Sequence, residues 1–373
     1  MAIMFVLRSL FMLLASMAML TVAEKHLMVI GTFSTHALYT VEYDDEARSL
    51  ALVANNSVHS ASSWLTMSYD HKTLYGTDFK GPDQVFVSYN ITDPYNIVQE
   101  AELVAGKDCV GSSSIFVNAL QDPPHTVYGN FYYGTAWCSS VMAVDEYGRL
   151  NHVVQEYVYD TGSAVHGTAI TWDGKYMLSA DTTGNRIWTH KIDSQTGELS
   201  YVDVYNASSE ENGPRHISIR PGDKLIYVVY EESSNVGVGT LYENGSVTID
   251  KLYPLLPEGL NPADYWADEV SLAEGANTLW ATNRARDNSK KGYITAFKLQ
   301  RDGTVAEQLF LVETSTSGGF ANSVAATKFD DSLAALTDNS TGFVEIWDTT
   351  GSVVAHLDID DGQGCCANAV WLY

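Results

Sequence analysis

Arg215 and Glu231 are the residues whose types and positions most directly indicate chemistry. They bracket a strand–turn–strand segment, because residues 213–220 alternate apolar and polar side chains and residues 225–230 are apolar on both faces. Pro221-Gly222-Asp223 is a turn sequence between the two strands. Two antiparallel strands of similar length bring the start of the first and the end of the second to one edge. An arginine can bind an anion there and a carboxyl group can transfer a proton. A plain inter-strand salt bridge is the alternative.

The same pattern recurs along the chain, and in each copy one polar residue opens the first strand and another closes the second. Three further copies pair His166 with Asp181, Asp268 with Arg284, and Asn322 with Asp338. Polar residues at the ends of strands with apolar interiors indicate a shared site. Each also has a structural alternative, as a hydrogen-bonding residue or as half of a rim ion pair. Asn, Asp and Glu together could hold a metal ion, but we predict none, and no His or Cys cluster has zinc-site spacing.

The spacing of these copies indicates the architecture that positions the polar residues. The copies begin at residues 63, about 114, 166, 215, 268, 322 and 368, a period of about 50 residues. Such a period with several strands per unit is typical of a β-propeller. The last copy, residues 368–372, ends after one strand, and residues 27–31, 38–41 and 50–53 supply the missing strands. We therefore predict an all-β, seven-bladed propeller as a single domain over residues 24–373, closed by N-terminal strands. A two-domain β protein is the alternative.

The first 23 residues have the pattern of a secretory signal. Arg8 supplies a positive charge, Leu10 to Leu20 is apolar, and Thr21-Val22-Ala23 offers small residues for cleavage. A retained signal anchor is the alternative. Five N-x-Ser/Thr sequons in turn-like contexts favour the secretory route and predict surface glycosylation. They begin at Asn55, Asn90, Asn206, Asn244 and Asn339. We therefore predict a secreted glycoprotein.

The overall charge limits the classes of partner. Lys and Arg number 21 against 46 acidic residues, which gives a formal net charge of −25. Such a charge disfavours nucleic acid and anionic membranes as partners. Beyond the leader, no segment approaches the length of a membrane span. A local basic pocket could still bind an anionic small molecule.

The four cysteines are expected to be structural. Cys109 and Cys138 are predicted to form a disulfide within one repeat, as an oxidising compartment permits. The adjacent residues Cys365 and Cys366 form either a vicinal bridge or two thiols.

Residues 213–216, Gly-Pro-Arg-His, with Glu231 further on, resemble the signature of the seven-bladed lactonase family that includes bacterial phosphogluconolactonases. Nearly all of residues 26–373 is similar to the fungal 3-carboxy-cis,cis-muconate lactonizing enzymes, or carboxy-muconate cyclases. The matching segments are His26 to Thr32, Ser63-Trp64, Val165 to Gly167, Ser179 to Asp181, Asn185 to His190, Gly292 to Ile294, Phe297 to Leu299, Thr316 to Gly319 and Asn368 to Trp371.

The resemblance implies a reaction and roles for four residues. The family's active-site histidine falls on His166, its arginine and glutamate fall on Arg215 and Glu231, and a second arginine falls on Arg284. The implied reaction is intramolecular, because a carboxylate adds to an alkene carbon and closes a γ-lactone without a metal or organic cofactor. The arginines would hold carboxylates, and His166 or Glu231 would transfer the proton. The substrate would be a small polycarboxylate or a lactone. The other predicted substrate-binding residues are Asp181, Asp268, Asn322 and Asp338.

Three departures from the resemblance bear on the substrate. The familiar cyclases act inside the cell, whereas this chain carries a leader and sequons. Phe320 stands where a His, or Pro-Arg in the phosphogluconolactonases, is expected, and Cys365-Cys366 replaces a stretch without a cysteine pair. Three function classes therefore stay open: a lactone-forming isomerase, a secreted lactone hydrolase, and a non-catalytic propeller that binds a ligand at its channel mouth. The joint presence of His166, Arg215, Glu231 and Arg284 favours an enzyme over a binding module.

Overall fold

The computed structural model describes residues 24–80, 85–104, 106–134, 137–222, 224–362 and 364–372. Within these ranges, seven four-stranded antiparallel sheets form the blades of a propeller. The closing blade is made of β1 (Lys25–Ile30), β2 (Ala37–Asp44) and β3 (Ser49–Ser57), with the C-terminal strand at its inner edge. The leader and Asp223 lie outside the described residues, so cleavage of residues 1–23 stays a prediction.

The other blades follow in chain order, and each begins with its innermost strand. The first three are β4 (Leu65–Met67), β5 (Thr73–Thr77), β6 (Val85–Asn90) and β7 (Val98–Val104); β8 (Ser113–Ala119), β9 (Val127–Tyr132), β10 (Cys138–Val144) and β11 (Leu150–Val158); and β12 (Val165–Ile170), β13 (Tyr176–Asp181), β14 (Arg186–Ile192) and β15 (Leu199–Asn206). The next three are β16 (Pro214–Ile219), β17 (Leu225–Tyr230), β18 (Asn235–Leu241) and β19 (Val247–Pro254); β20 (Tyr265–Leu272), β21 (Thr278–Ala285), β22 (Tyr293–Leu299) and β23 (Val305–Glu313); and β24 (Val324–Ala326), β25 (Leu333–Asp338), β26 (Phe343–Asp348) and β27 (Val353–Asp358). The last strand is β28 (Ala369–Trp371).

The predicted closure of the ring is confirmed. Strand β28 pairs with β1, with Met28 opposite Trp371 and Ile30 opposite Ala369. Each innermost strand contacts the next one around the axis, and β28 contacts β4. The Asn368 side chain joins these two strands, because its amide donates to Leu65 O and its Oδ1 accepts from Leu65 N. The closing blade therefore leaves no unpaired inner edge between the chain's first and last repeats.

The core lies between blades, and this explains the strand sequences. Strand β17 is apolar on both faces because each face packs against a neighbouring blade. Val228 packs with Leu178 of the preceding blade, and Val229 packs with Ala281 of the following one. Outermost strands such as β7 alternate exposed and half-buried residues, since only one face meets the protein.

The four cysteines form two disulfides. Cys109 bonds to Cys138 within the second blade, with Cα atoms 5.7 Å apart, as the sequence predicted. Cys365 bonds to Cys366 just before β28, so the structure contains the vicinal bridge rather than two thiols. The described helices are three 3₁₀ turns, Lys107–Cys109, Ser209–Glu211 and Pro262–Asp264. Among the described residues, no helix has the length and apolar character needed to cross a membrane.

Candidate active site

The pocket lies on the propeller axis at the end where the innermost strands begin. His166 near the start of β12, Arg215 near the start of β16 and Asp268 in β20 line it, together with Arg284 from β21. All four are buried. Glu231, directly after β17, reaches the same place and pairs with both arginines. The structure therefore brings His166, Arg215, Glu231, Arg284 and Asp268 together.

Bulges in the innermost strands aim these side chains at the axis. The pairing register shifts between Val165 and Thr168 in β12, between Pro214 and His216 in β16, and between Ala267 and Val270 in β20. A bulge inserts an extra residue and turns side chains away from strict alternation. As a result, consecutive residues of one strand both contact axial groups, as Arg215 and His216 do.

The two arginines and two carboxylates form one buried ion cluster. Arg215 Nη1 lies 2.9 Å from Asp268 Oδ1, and Arg215 Nε lies 3.3 Å from Glu231 Oε2. Arg284 Nη2 lies 3.4 Å from Glu231 Oε1, and Arg284 Nε lies 3.4 Å from Asp268 Oδ1. The two positive and two negative charges balance. Three of the contacts are longer than a charge-assisted hydrogen bond of about 2.7–2.9 Å, so the guanidinium groups keep capacity to bind a further anion.

The charges of the cluster decide its protonation states. Burial opposes ionisation of Asp268, but the charges of Arg215 and Arg284 outweigh it, and the pKa of Asp268 lies below its usual value. Burial likewise opposes the charged form of Arg215, and the charges of Asp268 and Glu231 outweigh it and raise the pKa of that guanidinium. Asp268 and Arg215 are therefore both in their charged forms at neutral pH.

A second buried chain of titratable groups lies behind His166. His166 Nδ1 is 2.8 Å from His216 Nε2, and His216 Nδ1 is 2.6 Å from Glu269 Oε2. Burial, followed by the charge of Arg215, lowers the pKa of both imidazoles well below the usual value, so both are neutral at pH 7. Because Nδ1 of His166 is occupied, Nε2 is the ring nitrogen available to a molecule in the pocket.

The sequence interpretation missed His216 and Glu269. Strict alternation along a strand would place each on the opposite face from the neighbouring Arg215 or Asp268. The bulges remove that alternation. The available signal was the occurrence of two adjacent charged or titratable pairs, Arg215-His216 and Asp268-Glu269, at the same position in consecutive repeats.

The structure does not bring Asp181, Asn322 and Asp338 into the pocket lining. Asp181 accepts from Ala164 N, Gly184 N and Trp188 Nε1. Asp338 accepts from Ser340 N, Thr341 N and Thr316 Oγ1. Asn322 donates from its amide to Asn283 O and from its backbone to Asp268 Oδ2. For the two aspartates the physical reason is that the turn after the second strand exposes backbone N–H groups, and the carboxylate that closes the strand satisfies them. The Asn322 side chain is instead held by a backbone carbonyl of the preceding blade.

Aromatic side chains surround the mouth of the pocket. The Phe33 ring lies 5.8 Å from that of Phe320 and 6.1 Å from that of Phe79, which lies 6.0 Å from Tyr133. Tyr133 and Phe320 are 69% and 60% exposed. Lys80 Nζ is 5.7 Å from the centre of the Phe320 ring. The Phe320 carbonyl also accepts a hydrogen bond from Arg284 Nη1, so this loop positions the arginine through its backbone.

The acidic and histidine side chains of the pocket are of types that can bind metal ions. Within the described ranges, no group of three or more His, Cys, Asp and Glu residues is arranged to hold a metal ion. The carboxylates of the pocket instead contact guanidinium groups.

Comparisons with known proteins agree with this fold. A family model described as Lactonase, 7-bladed beta-propeller matches residues 27–354. The carboxy-cis,cis-muconate cyclase of Neurospora crassa is 30% identical over 93% of this chain and 99% of its own. Muconate cycloisomerase 1 of Cutaneotrichosporon cutaneum is 26% identical over 86% of this chain and 89% of its own. The solved periplasmic gluconolactonase of Pseudomonas aeruginosa shares the fold, with a TM-score of 0.78 and 16% identity over 94% of this chain and 99% of that one.

Proposed function

Because this chain belongs to the seven-bladed β-propeller lactonase family, we propose that it is an enzyme that closes or opens a γ-lactone ring. The proposed reaction is of the carboxy-cis,cis-muconate cyclase type, an intramolecular addition of a carboxylate to a conjugated alkene acid. The observation that carries this proposal is a neutral histidine, His166, beside two buried arginines, Arg215 and Arg284, in one axial pocket. That combination can hold a carboxylate and transfer a proton within one small site.

The arginines account for binding and orientation. Arg215 and Arg284 both line the pocket, and each has contacts long enough to exchange for a substrate carboxylate. A planar guanidinium fork fixes the orientation of a carboxylate as well as its position. Glu231 and Asp268 balance the arginine charges and hold the side chains in place. Glu231 therefore acts as a positioning residue in this proposal.

The proton transfer is assigned to His166. In the closing direction a substrate carboxylate oxygen forms a bond to one alkene carbon, and the π electrons move to the adjacent carbon. That carbon takes the Nε2 proton of His166, and the imidazole stays neutral because its Nδ1 gains a proton from the protein side in the same step. Ring opening is the reverse, with neutral His166 removing the proton from the carbon next to the carboxyl group. His166 is favoured over Glu231 because it lines the pocket, whereas both oxygens of Glu231 face guanidinium groups.

Two features favour a substrate with fewer charges than a tricarboxylate. The ion cluster is balanced, so a trianion would bring three negative charges to a site of no net charge. The aromatic mouth, with Phe320, Phe33 and Tyr133, suits a planar apolar group through ring stacking. An unsaturated acid derived from a phenolic ring, with an apolar substituent directed at Phe320, fits both features.

A secreted location is part of the proposal. Asn55, Asn206 and Asn244 are exposed in the folded protein and are accessible for glycosylation. Together with the predicted leader, they support passage through the secretory route. The substrate would then be an extracellular aromatic-derived acid or lactone.

A direct test incubates the purified protein with 3-carboxy-cis,cis-muconate, with cis,cis-muconate, and with an aryl-substituted muconate. Loss of diene absorbance and NMR of the product report lactone formation. We expect the aryl-substituted acid to react fastest, and His166→Gln to lower kcat by roughly 10²–10⁴-fold, as for a positioned acid–base group. Trp172→Ala, on an exposed residue away from the pocket, serves as the control and should retain full activity.

Lactone hydrolysis is the second candidate, and neutral His166 favours it because an unprotonated imidazole can activate water. Saturated γ- and δ-lactones are tested in the same way. Hydrolysis of these with no change in any diene would replace the cyclase by a lactone hydrolase. If neither class reacts, the channel mouth is a ligand-binding surface and the proposed enzyme is rejected.

A further inference from the structure

The chain His166–His216–Glu269 contains two titratable residues that lactone closure, as described so far, does not use. All three side chains are buried, and both ring nitrogens of His216 bond to protein groups. Glu269 Oε1 accepts from Val270 N at 3.1 Å, which leaves Oε2 for His216. We propose that His216 and Glu269 form a proton relay in which Glu269 stores the proton that His166 exchanges with the substrate. This inference rests on the proposed function of His166.

The packing around His216 holds it in the bridging position. The Trp64 ring lies 4.7 Å from the His216 ring at a steep angle, and the Phe116 ring lies 5.3 Å away. On the other side, a Cβ at Gly167 would lie 2.4 Å from His216 Cδ2, so only glycine permits this approach of β12 to β16. A ring fixed in this way can keep short hydrogen bonds at both nitrogens.

The relay crosses the floor of the pocket. Glu269 lines a second cavity further along the axis, which is formed by residues of five innermost strands. Trp64, Ser323 and Asn368 line both this cavity and the pocket, so they separate the two. Glu269 therefore sits at the far end of the chain from the substrate, where the second cavity and the charge of Arg215 can stabilise a transient carboxylate.

The protons and charges of the relay balance. In the closing direction, the Glu269 O–H bond breaks as His216 Nδ1–H forms, and the His216 Nε2–H bond breaks as His166 Nδ1–H forms. The His166 Nε2–H bond breaks as the substrate gains its C–H bond. Both imidazoles end neutral with exchanged tautomers, and the negative charge of the consumed substrate carboxylate ends on Glu269. After the product leaves, a solvent proton taken up at His166 Nε2 reverses the three transfers.

The electrostatic surroundings suit a relay of neutral groups. Burial, as the largest effect, raises the pKa of Glu269 well above its usual value, with Asp268 acting in the same direction and Arg215 against it. The groups that face the two imidazoles are Arg215, Arg284, Asp268 and the Tyr132 ring. The guanidinium groups disfavour an imidazolium, so a histidine that carries the extra proton needed to act alone as the donor is scarcely populated here. A chain that moves a proton between neutral groups avoids that charge.

The first test needs no substrate, so it is independent of the proposed function. Ring ¹⁵N NMR of the full-length oxidised protein reports which nitrogen of His166 and His216 carries hydrogen. We expect both rings to be neutral, to share one tautomer, and to change together from Nε2–H to Nδ1–H as rising pH ionises Glu269. In Glu269→Gln, both rings should keep Nε2–H at all pH values, because Val270 N holds the amide oxygen and directs the amide nitrogen to His216. A charged His216, or rings in different tautomers, overturns the relay.

The second test is kinetic and uses any substrate that the wild type turns over. Glu269→Gln should lower kcat by about 10²-fold, within the range for a positioned acid–base group, and leave KM within about twofold. It should also reduce the solvent deuterium isotope effect, since fewer protons move in the rate-limiting step. Glu269→Asp, which keeps a transferable proton on a shorter side chain, should recover part of the rate.

The matched control is Glu345→Gln. Glu345 is a buried carboxylate that bonds to His356 Nδ1 at 3.1 Å in another blade, and its replacement should leave kcat unchanged. If Glu269→Gln keeps the wild-type rate while the wild type turns over substrate, the relay is rejected and the enzyme proposal stands. If the wild type turns over nothing, the enzyme proposal fails and the NMR tautomers alone decide the relay.

Discussion

Removing one arginine from the axial ion cluster should destabilise the protein, and removing a carboxylate as well should restore part of the loss. The perturbation is a double-mutant cycle of Arg284→Met and Glu231→Gln. Arg284 Nη2 lies 3.4 Å from Glu231 Oε1, and Arg284 Nε lies 3.4 Å from Asp268 Oδ1. At an effective dielectric constant of about 20, each contact corresponds to about 5 kcal/mol of attraction. The desolvation of the buried charges offsets much of this sum.

The expected values follow from the charge left behind. Arg284→Met leaves Glu231 and Asp268 with only Arg215, so the free energy of unfolding should fall by about 3–5 kcal/mol. In the double variant, Arg215 and Asp268 remain as a balanced pair at 2.9 Å. We therefore expect the double variant to be about 2–3 kcal/mol more stable than the sum of the two single losses predicts.

Urea unfolding followed by tryptophan fluorescence, with both disulfides intact, measures all four corners of the cycle. The exposed pair Lys328–Glu274, 3.2 Å apart, is the control, because solvent screens it and its coupling should be much smaller. Additive losses from Arg284→Met and Glu231→Gln, to within about 0.5 kcal/mol, would refute the view that these charges act as one cluster.

Three other properties can be checked on the same protein. Burial lowers the pKa of His190 to about 3, so below pH 6.5 the unfolded chain binds a proton that the folded state does not. The free energy of unfolding should therefore fall by about 2 kcal/mol between pH 7 and pH 5 because of this residue. Urea titrations of His190→Phe at the two pH values should lack that part of the decrease. The double variant Cys109→Ser, Cys138→Ser lacks a disulfide that spans 29 residues, and its free energy of unfolding should be about 3–4 kcal/mol lower than that of the wild type. Alkylation of these two cysteines in denatured, unreduced wild type would contradict the bridge. Protein from a eukaryotic secretory host should carry glycan at exposed Asn55 and less at Asn339, whose side-chain amide donates to Cys365 O. Glycopeptide mass spectrometry measures the occupancy of each site. Unglycosylated protein with an intact residue 1 would argue against secretion.

The period of the sequence alone was enough to predict the architecture. Each repeat contains apolar strands separated by turn residues, and a repeat can bury its faces only against its neighbours. The truncated last copy and the surplus N-terminal strands therefore predicted the closure between β28 and β1, which the structure confirms. Register within a hairpin is also local, so the contact between Arg215 and Glu231 followed from the strand lengths.

The axial site itself was decided by tertiary structure. Alternation along a strand assigns Arg215 and His216 to opposite faces, and only the bulge in β16 allows both to contact axial groups. The partners of His216 come from two other blades, His166 before it and Glu269 after it, each about one repeat away in sequence. Conversely, Asp181 and Asp338 have the expected residue types, but the backbone N–H groups of the following turns take their oxygens. A sequence pattern shows which residues are polar, whereas the bulges and turns determine which of those residues face the axis.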